Sequence, residues 1–181
     1  MAGATKDGER RRLAALRRER VPGRDRAKDA ESLELGALEV AYAEGLGPGD
    51  WVAAYESLAS EPPTQSLVAA LTARGIRVMV PVTLPDWDLD WREAGDERLL
   101  GRDAVADARV VFLPAQAVDR GGTRLGRGKG CYDRALARTA ARTVALVHPW
   151  EVLDEVLPVE PHDRPVDAAL TAQHGVVRLS G

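Results

Sequence analysis

Residues 121–134 read Gly-Gly-Thr-Arg-Leu-Gly-Arg-Gly-Lys-Gly-Cys-Tyr-Asp-Arg, the densest concentration of potential chemistry in the chain. Gly126, Gly128 and Gly130 alternate with the cations Arg127 and Lys129, directly before an expected helix. Glycine lets backbone amides approach a ligand closely and adopt positive φ. Amides at a helix start point at an anion, and the helix dipole favours it. Arg124, Arg127 and Lys129 add full charges. The combination suits a polyphosphate. Two familiar nucleotide motifs do not fit. A P-loop needs glycine five positions before its Gly-Lys pair and Ser or Thr after it, where this chain has Thr123 and Gly130. The dinucleotide fingerprint is Gly-x-Gly-x-x-Gly, whereas this loop is Gly-x-Gly-x-Gly. The competing readings are a surface turn and an RNA-binding Arg-Gly box, although such boxes are repetitive and disordered.

Asp133 follows the loop. One carboxylate beside phosphates is a natural Mg²⁺ ligand, because Mg²⁺ usually takes one or two carboxylates plus phosphate oxygens and water. A first-turn helix aspartate is the equally simple alternative. His162-Asp163, in an irregular part of the tail, offers a second carboxylate, with His162 read as an orienting hydrogen-bond partner. Cys131 reads as a small packing residue rather than a nucleophile. Trp87, Leu89 and Trp91 alternate with Asp86, Asp88 and Asp90. That pattern gives a half-exposed edge strand with the aspartates solvated. Trp87 and Trp91 read as its packing, or else as an aromatic wall for a ligand ring.

These residues need a scaffold. Lys6 to Lys28 carries most of a basic N-terminal segment: residues 1–28 hold ten basic and four acidic side chains, while the rest is acidic on balance. Leu13 and Leu16 give it a thin apolar stripe, so it reads as a basic helical arm lying on the body. Leu35, Leu38 and Tyr42 recur at helical spacing up to the glycines at 45–49. Residues 51–55 read as a strand, and a helix opened by Pro62-Pro63 runs to Gly75. Residues 77–82, 109–113 and 143–148 read as buried strands, 132–141 as a helix, and 166–171 and 176–179 as short extended pieces. Buried strands alternating with helices imply an α/β fold, a mostly parallel sheet with helices on both faces. Ligands in such sheets bind beyond the carboxyl ends of strands. The glycine-rich loop follows one of them.

Composition narrows the classes. At 181 residues the chain is expected to form a single domain over 1–181. A net charge of −3 is not that of a nucleic-acid or membrane-surface binder. One cysteine excludes an internal disulfide and a multi-cysteine zinc site. No apolar run approaches the roughly 20 residues of a membrane helix. Arg10–Arg12 do not make a twin-arginine signal, because Arg17, Arg18 and Arg20 interrupt what should follow. The expectation is a cytoplasmic monomer with small-molecule ligands.

The string from Arg124 to Arg134 resembles the hallmark loop of the 5-formyltetrahydrofolate cyclo-ligase family, also called 5,10-methenyltetrahydrofolate synthetases. The likeness runs along nearly the whole chain. Lys6 and Arg10 resemble the family's Lys-x-x-x-Arg. Tyr55 through Thr64 resembles its Tyr…Glu-x-x-Thr segment, and Gly75 to Pro81 its Gly-x-x-Val-x-x-Pro strand. Leu113-Pro114 and Asp119 resemble the approach to the loop, and His162 to Asp167 its His-Asp-x-x-Val-Asp. Cys131 stands where the family usually has tyrosine, and Ala115-Gln116-Ala117-Val118 replaces Gly-Leu-Ala-Phe.

The resemblance implies ATP- and Mg²⁺-dependent closure of 5-formyltetrahydrofolate to 5,10-methenyltetrahydrofolate, with release of ADP and phosphate. It implies ATP binding by Lys6, Arg10, Arg124, Leu125, Gly126, Arg127, Gly128, Lys129, Gly130, Cys131 and Tyr132. Glu56, Glu61 and the Arg127–Cys131 segment would face the folate, with Arg127 and Lys129 catalytic. Asp133 and Asp163 would hold Mg²⁺, with Asp167 next in line. The alternatives are a nucleotide-dependent ligase or kinase with another acceptor, and a non-catalytic nucleotide or RNA binder using the basic arm.

Overall fold

The computed structural model describes residues 5–180. Helix α1 (Lys6–Arg20) starts where the Thr5 hydroxyl accepts from the Gly8 amide at 3.2 Å, an N-cap that satisfies an otherwise orphan donor. Its last turn carries Arg17, Arg18 and Arg20, which suit the negative end of the helix dipole. Helix α2 (Arg26–Ala43) is capped by the Asp25 side chain. Its buried face is Leu33, Gly36, Ala37, Val40 and Ala41, not the expected stripe. Leu35 is 68% exposed and Tyr42 89% exposed. Close approach decides the face, since a Cβ on Gly36 would collide with Leu170.

Five strands form the parallel body of the main sheet: β1 (Trp51–Ala53), β2 (Arg77–Thr83), β4 (Ala108–Pro114), β7 (Arg142–Leu146) and β9 (Ala168–Thr171). The antiparallel β3 (Leu89–Glu93) and β10 (Gly175–Arg178) close its two edges, in the order β10-β9-β7-β4-β1-β2-β3. Helices α2 and α3 (Gln65–Ala73) cover one face, packing Leu33, Val40, Leu67 and Leu71 against Val78, Val110, Phe112 and Leu146. Helix α4 (Cys131–Leu136) and a 3₁₀ turn at Arg102–Asp107 cover the other, packing Ala135, Leu136 and Val105 against Trp91, Val111 and Leu113. The expected α/β class and mostly parallel sheet are therefore observed.

A second sheet is new. Strands β5 (Ala117–Asp119), β6 (Arg124–Leu125) and β8 (Val152–Leu153) pair in the order β6-β5-β8. Leu13 of α1 packs on it with Ala117, Leu125, Leu153 and Leu157. The basic arm thus lies on the sheet that launches the glycine-rich loop.

Two element readings need correction. The helix expected over 132–141 stops at Leu136, and Arg138 beyond it turns to pair with Asp88 at 2.7 Å. The edge strand expected from Asp86 begins at Leu89, because Leu84–Trp87 form a turn with Trp87 at φ 63°. Asp88 is not solvated. It is 4% exposed and receives Arg138 and Arg102. The Arg138 hydrogen bond outweighs burial and holds its carboxyl well below the ordinary range.

Candidate active site

β4 ends at Pro114, turns through Ala115-Gln116 into β5, and the β5–β6 hairpin delivers the chain to residues 126–130. The loop therefore sits beyond the carboxyl end of a central parallel strand. Arg124, 8% exposed, donates from Nη2 to Asp133 Oδ1 at 2.7 Å and ties the loop's two ends together. Two glycines sit hard against neighbouring guanidinium groups. A Cβ on Gly126 would lie 2.7 Å from Arg124 Nη1. Gly128 has φ +91°, and a Cβ there would lie 3.1 Å from Arg10 Cζ.

The arm meets the loop and the tail. Arg10 Nε donates to the Gly126 carbonyl at 2.9 Å. Lys6 Nζ donates to Asp163 Oδ2 at 2.5 Å and to Glu160 Oε2 at 2.8 Å. For both partners burial opposes charge, and the hydrogen bond wins. The Lys6 ammonium titrates above its ordinary value and the Asp163 carboxyl below its own. The Arg164 amide donates to Asp133 Oδ1 at 3.3 Å, so the tail's backbone just after Asp163 lies against the loop's Asp133. Glu160, His162 and Asp163 bring ligand atoms within 4.8 Å of one another.

Apart from Lys6 and Arg164, which stand behind the lining, these groups line one cleft with about 780 Å³ of empty space, counting the solvent at its open mouth. Arg10, Glu61, Asp163 and every residue from Arg124 to Asp133 line it. Glu61 is 5% exposed. Its Oε1 receives Arg127 Nη2 at 3.1 Å, and its Oε2 receives the Leu58 amide at 2.9 Å. Gln116 Oε1, Arg124 Nε and the Tyr132 hydroxyl are buried in the wall without a hydrogen-bond partner. Buried polar atoms are ordinarily paired; four others, on Tyr55, Trp91, Arg142 and Trp150, are equally unpartnered, and these three are the ones carried by residues that line the cleft. Burial also pushes the Tyr132 phenol well above its ordinary value, which keeps it a neutral donor.

Not every expected residue converges here. Glu56 is exposed, pairs with Arg92 at 2.9 Å, and lines a separate groove with Tyr55, Thr64 and Val68. Asp167 accepts the Thr143 amide and hydroxyl at 2.7 and 2.8 Å and joins β7 to the start of β9. Trp91 is fully buried in the core. Trp87 is 49% exposed with Lys129 Nζ 4.6 Å from its ring centroid.

Sequence reasoning missed the layer beneath the loop. Arg17, one turn after Leu13 on the buried side of α1, makes a bidentate pair with Glu151 at 2.6 and 2.9 Å and donates to the Ala115 carbonyl at 2.6 Å. The Leu13–Arg17 spacing was its one sequence signal. The neighbouring His148, 2% exposed, donates from Nε2 to the Ser60 carbonyl at 3.0 Å and stacks on Trp150. Burial lowers its pKa to about 4. The unfolded histidine takes its proton near pH 6.5. Stability from neutral His148 is therefore full above pH 6.5 and is lost as pH falls towards 4. We expect the melting temperature to decline over that window and His148→Gln to flatten the decline. An equal slope in the variant would assign the pH dependence elsewhere.

The family model for the 5-formyltetrahydrofolate cyclo-ligase family matches residues 2–172. The chain belongs to that family. Among curated cyclo-ligases it is 35% identical to the one from Mycolicibacterium smegmatis over 192 residues, covering 93% of this chain and 95% of the relative. It is 30% identical to the Escherichia coli cyclo-ligase over 140 residues, covering 66% of this chain and 76% of the relative. The fold matches the 5,10-methenyltetrahydrofolate synthetase from Aquifex aeolicus with a TM-score of 0.72 at 20% identity, over 97% of this chain and 93% of that one. It matches the one from Mycoplasma pneumoniae with a TM-score of 0.70 at 18% identity, over 92% and 98%. The resemblance carried by the loop is borne out. The chain is an enzyme of the cyclo-ligase family, whose reaction closes 5-formyltetrahydrofolate to 5,10-methenyltetrahydrofolate. No helix among the described residues is long and apolar enough to cross a membrane.

Proposed function

We propose that this cleft binds ATP and 5-formyltetrahydrofolate side by side and transfers the γ-phosphoryl group to the formyl oxygen. The observation that carries the reading is convergence. Cations from the arm and loop, carboxylates from the loop and tail, and the buried Glu61 line one cleft beyond the end of β4. The phosphates lie along residues 124–132, with Arg10 closing over them and Lys6 supporting the rim through Asp163. Glu61 accepts hydrogen bonds from the pterin edge, which frees Arg127 to turn from Glu61 to the phosphates. Glu56, in its separate groove, has no part in this arrangement.

The formyl group is amide-like, and its oxygen is a poor leaving group. That oxygen attacks the γ-phosphorus, the bond to the ADP oxygen breaks, and an iminophosphate forms. N10 then attacks the activated carbon, the carbon–oxygen bond breaks, and phosphate leaves with the formyl oxygen. Loss of the N10 proton completes the methenyl bridge. Such transfer needs positioning and charge stabilisation more than covalent protein chemistry. Arg127 and Lys129 supply the cations where ATP and folate meet.

Asp133 and Asp163 fit Mg²⁺, being hard oxygen donors beside the phosphate loop. Each also takes its protein hydrogen bonds on a single oxygen, Oδ1 of Asp133 and Oδ2 of Asp163. Bound Mg²⁺ would neutralise phosphate charge. We expect Asp133→Asn and Asp163→Asn each to shift the Mg²⁺ titration of activity to higher concentration. An Asp163→Asn enzyme that titrates like wild type would remove that residue from the site. The reading as a whole is tested by following methenyl product by absorbance with 5-formyltetrahydrofolate, ATP and Mg²⁺ each omitted in turn. Full activity without ATP would refute it.

A further inference from the structure

We propose that Trp87 is a positioning residue for the phosphate loop, its indole face holding the Lys129 ammonium at the mouth of the cleft. Lys129 is exposed and flanked by two glycines, so its long stem has little else to restrain it. Its Nζ lies 4.6 Å from the Trp87 ring centroid, within the range over which a π face attracts a cation. The backbones of the two residues are also fastened together. Arg134 Nη2 donates to the Trp87 carbonyl at 2.6 Å and to the Lys129 carbonyl at 3.0 Å.

The turn that carries Trp87 is anchored independently. The Trp87 amide donates to the Leu84 carbonyl at 2.9 Å. Asp88, the next residue, receives Arg138 at 2.7 and 2.9 Å and Arg102 at 3.1 Å. Trp87 itself is the one non-glycine residue with positive φ among the described residues, at 63°. Bulky side chains rarely occupy that region. Glycine would sit there without strain, so the ring stands against the local backbone preference. A lysine held on an aromatic face keeps fewer rotamers than a free one, and its charge stays beside the phosphates it must meet.

This inference rests on the proposal that Lys129 works at the transferred phosphoryl group. The test is steady-state kinetics with varied ATP and saturating folate, with thermal melting, for Trp87→Gly and Trp87→Phe in the wild-type and Lys129→Ala backgrounds. In the wild-type background Trp87→Gly should lower kcat/KM for ATP about two- to five-fold, the factor expected of an exposed cation–π contact. Its melting temperature should stay level or rise, because glycine relieves the positive φ. Trp87→Phe, which keeps a ring, should lie close to wild type, and the folate KM should not move. In the Lys129→Ala background, removing the ring should have no further effect. An unchanged kcat/KM for ATP in Trp87→Gly would overturn the proposal. So would an equal loss in the Lys129→Ala background, which would give the ring a role apart from lysine. Normal turnover in Lys129→Ala alone would overturn the parent assignment of Lys129. Lost turnover there, with Trp87→Gly intact, would overturn only the role of Trp87.

Discussion

Lys129→Ala is expected to lower turnover by about two to three orders of magnitude while leaving the melting temperature within about 3 °C of wild type. The side chain is exposed between Gly128 and Gly130, and its ammonium rests on the Trp87 ring. Truncation therefore removes no core packing, and an exposed cation–π contact is worth only about 0.5–1 kcal/mol. In the cleft the same charge faces a phosphoryl group in transfer. Losing one preorganised stabiliser of developing charge typically raises a barrier by roughly 3–4 kcal/mol. Single-turnover kinetics beside calorimetric melting separates the two effects. A folded variant with near-wild-type turnover would exclude Lys129 from the chemistry.

Arg17→Ala should act in the opposite sense, on stability first. Arg17 is 6% exposed and Glu151 fully buried, and the two form a bidentate pair at 2.6 and 2.9 Å. Breaking a buried pair by removing one partner typically costs about 3–5 kcal/mol, because the other charge is left uncompensated. For a chain of this size that corresponds to a fall in melting temperature of roughly 10 °C. Burial already pushes the Glu151 carboxyl above its ordinary value despite the pull of Arg17. The orphaned carboxyl should therefore take a proton on acidification, and the deficit should shrink between pH 7 and pH 5. Activity should fall too, because Arg17 also holds the Ala115 carbonyl at 2.6 Å in the wall of the cleft. Arg17→Met combined with Glu151→Leu should recover most of the stability, since an apolar pair of similar volume leaves no unpaired charge. Loss of less than about 1 kcal/mol in Arg17→Ala would contradict the assignment of a buried, mutually dependent pair.

The parts of the fold that were legible are those whose burial is written in side-chain type. β2, β4 and β7 are covered on both faces, so Val78 to Val80, Val110 to Leu113 and Val144 to Leu146 read as apolar runs. α2 was legible as a helix but not by its face. Its buried face mixes Leu33 and Val40 with Gly36, Ala37 and Ala41, which carry little hydropathy, while Leu35 and Tyr42 point outward. The second sheet was hidden because β6 and β8 have two residues each, too few to show a period. Asp88 looked solvated because its partners, Arg102 and Arg138, are far away in sequence. The glycine-cation loop could be read locally because its chemistry is local. The pairs that hold it in place, Arg17 with Glu151 and Lys6 with Asp163, join residues more than a hundred positions apart, and no spacing rule reaches them.

The central claim is that the formyl oxygen is phosphorylated and leaves as phosphate. It is tested most directly by converting 5-formyltetrahydrofolate labelled with ¹⁸O in the formyl group, using unlabelled ATP, and weighing the inorganic phosphate by mass spectrometry. The account predicts one ¹⁸O in the phosphate for each methenyl product formed. Unlabelled phosphate, with the ¹⁸O released to water, would contradict it.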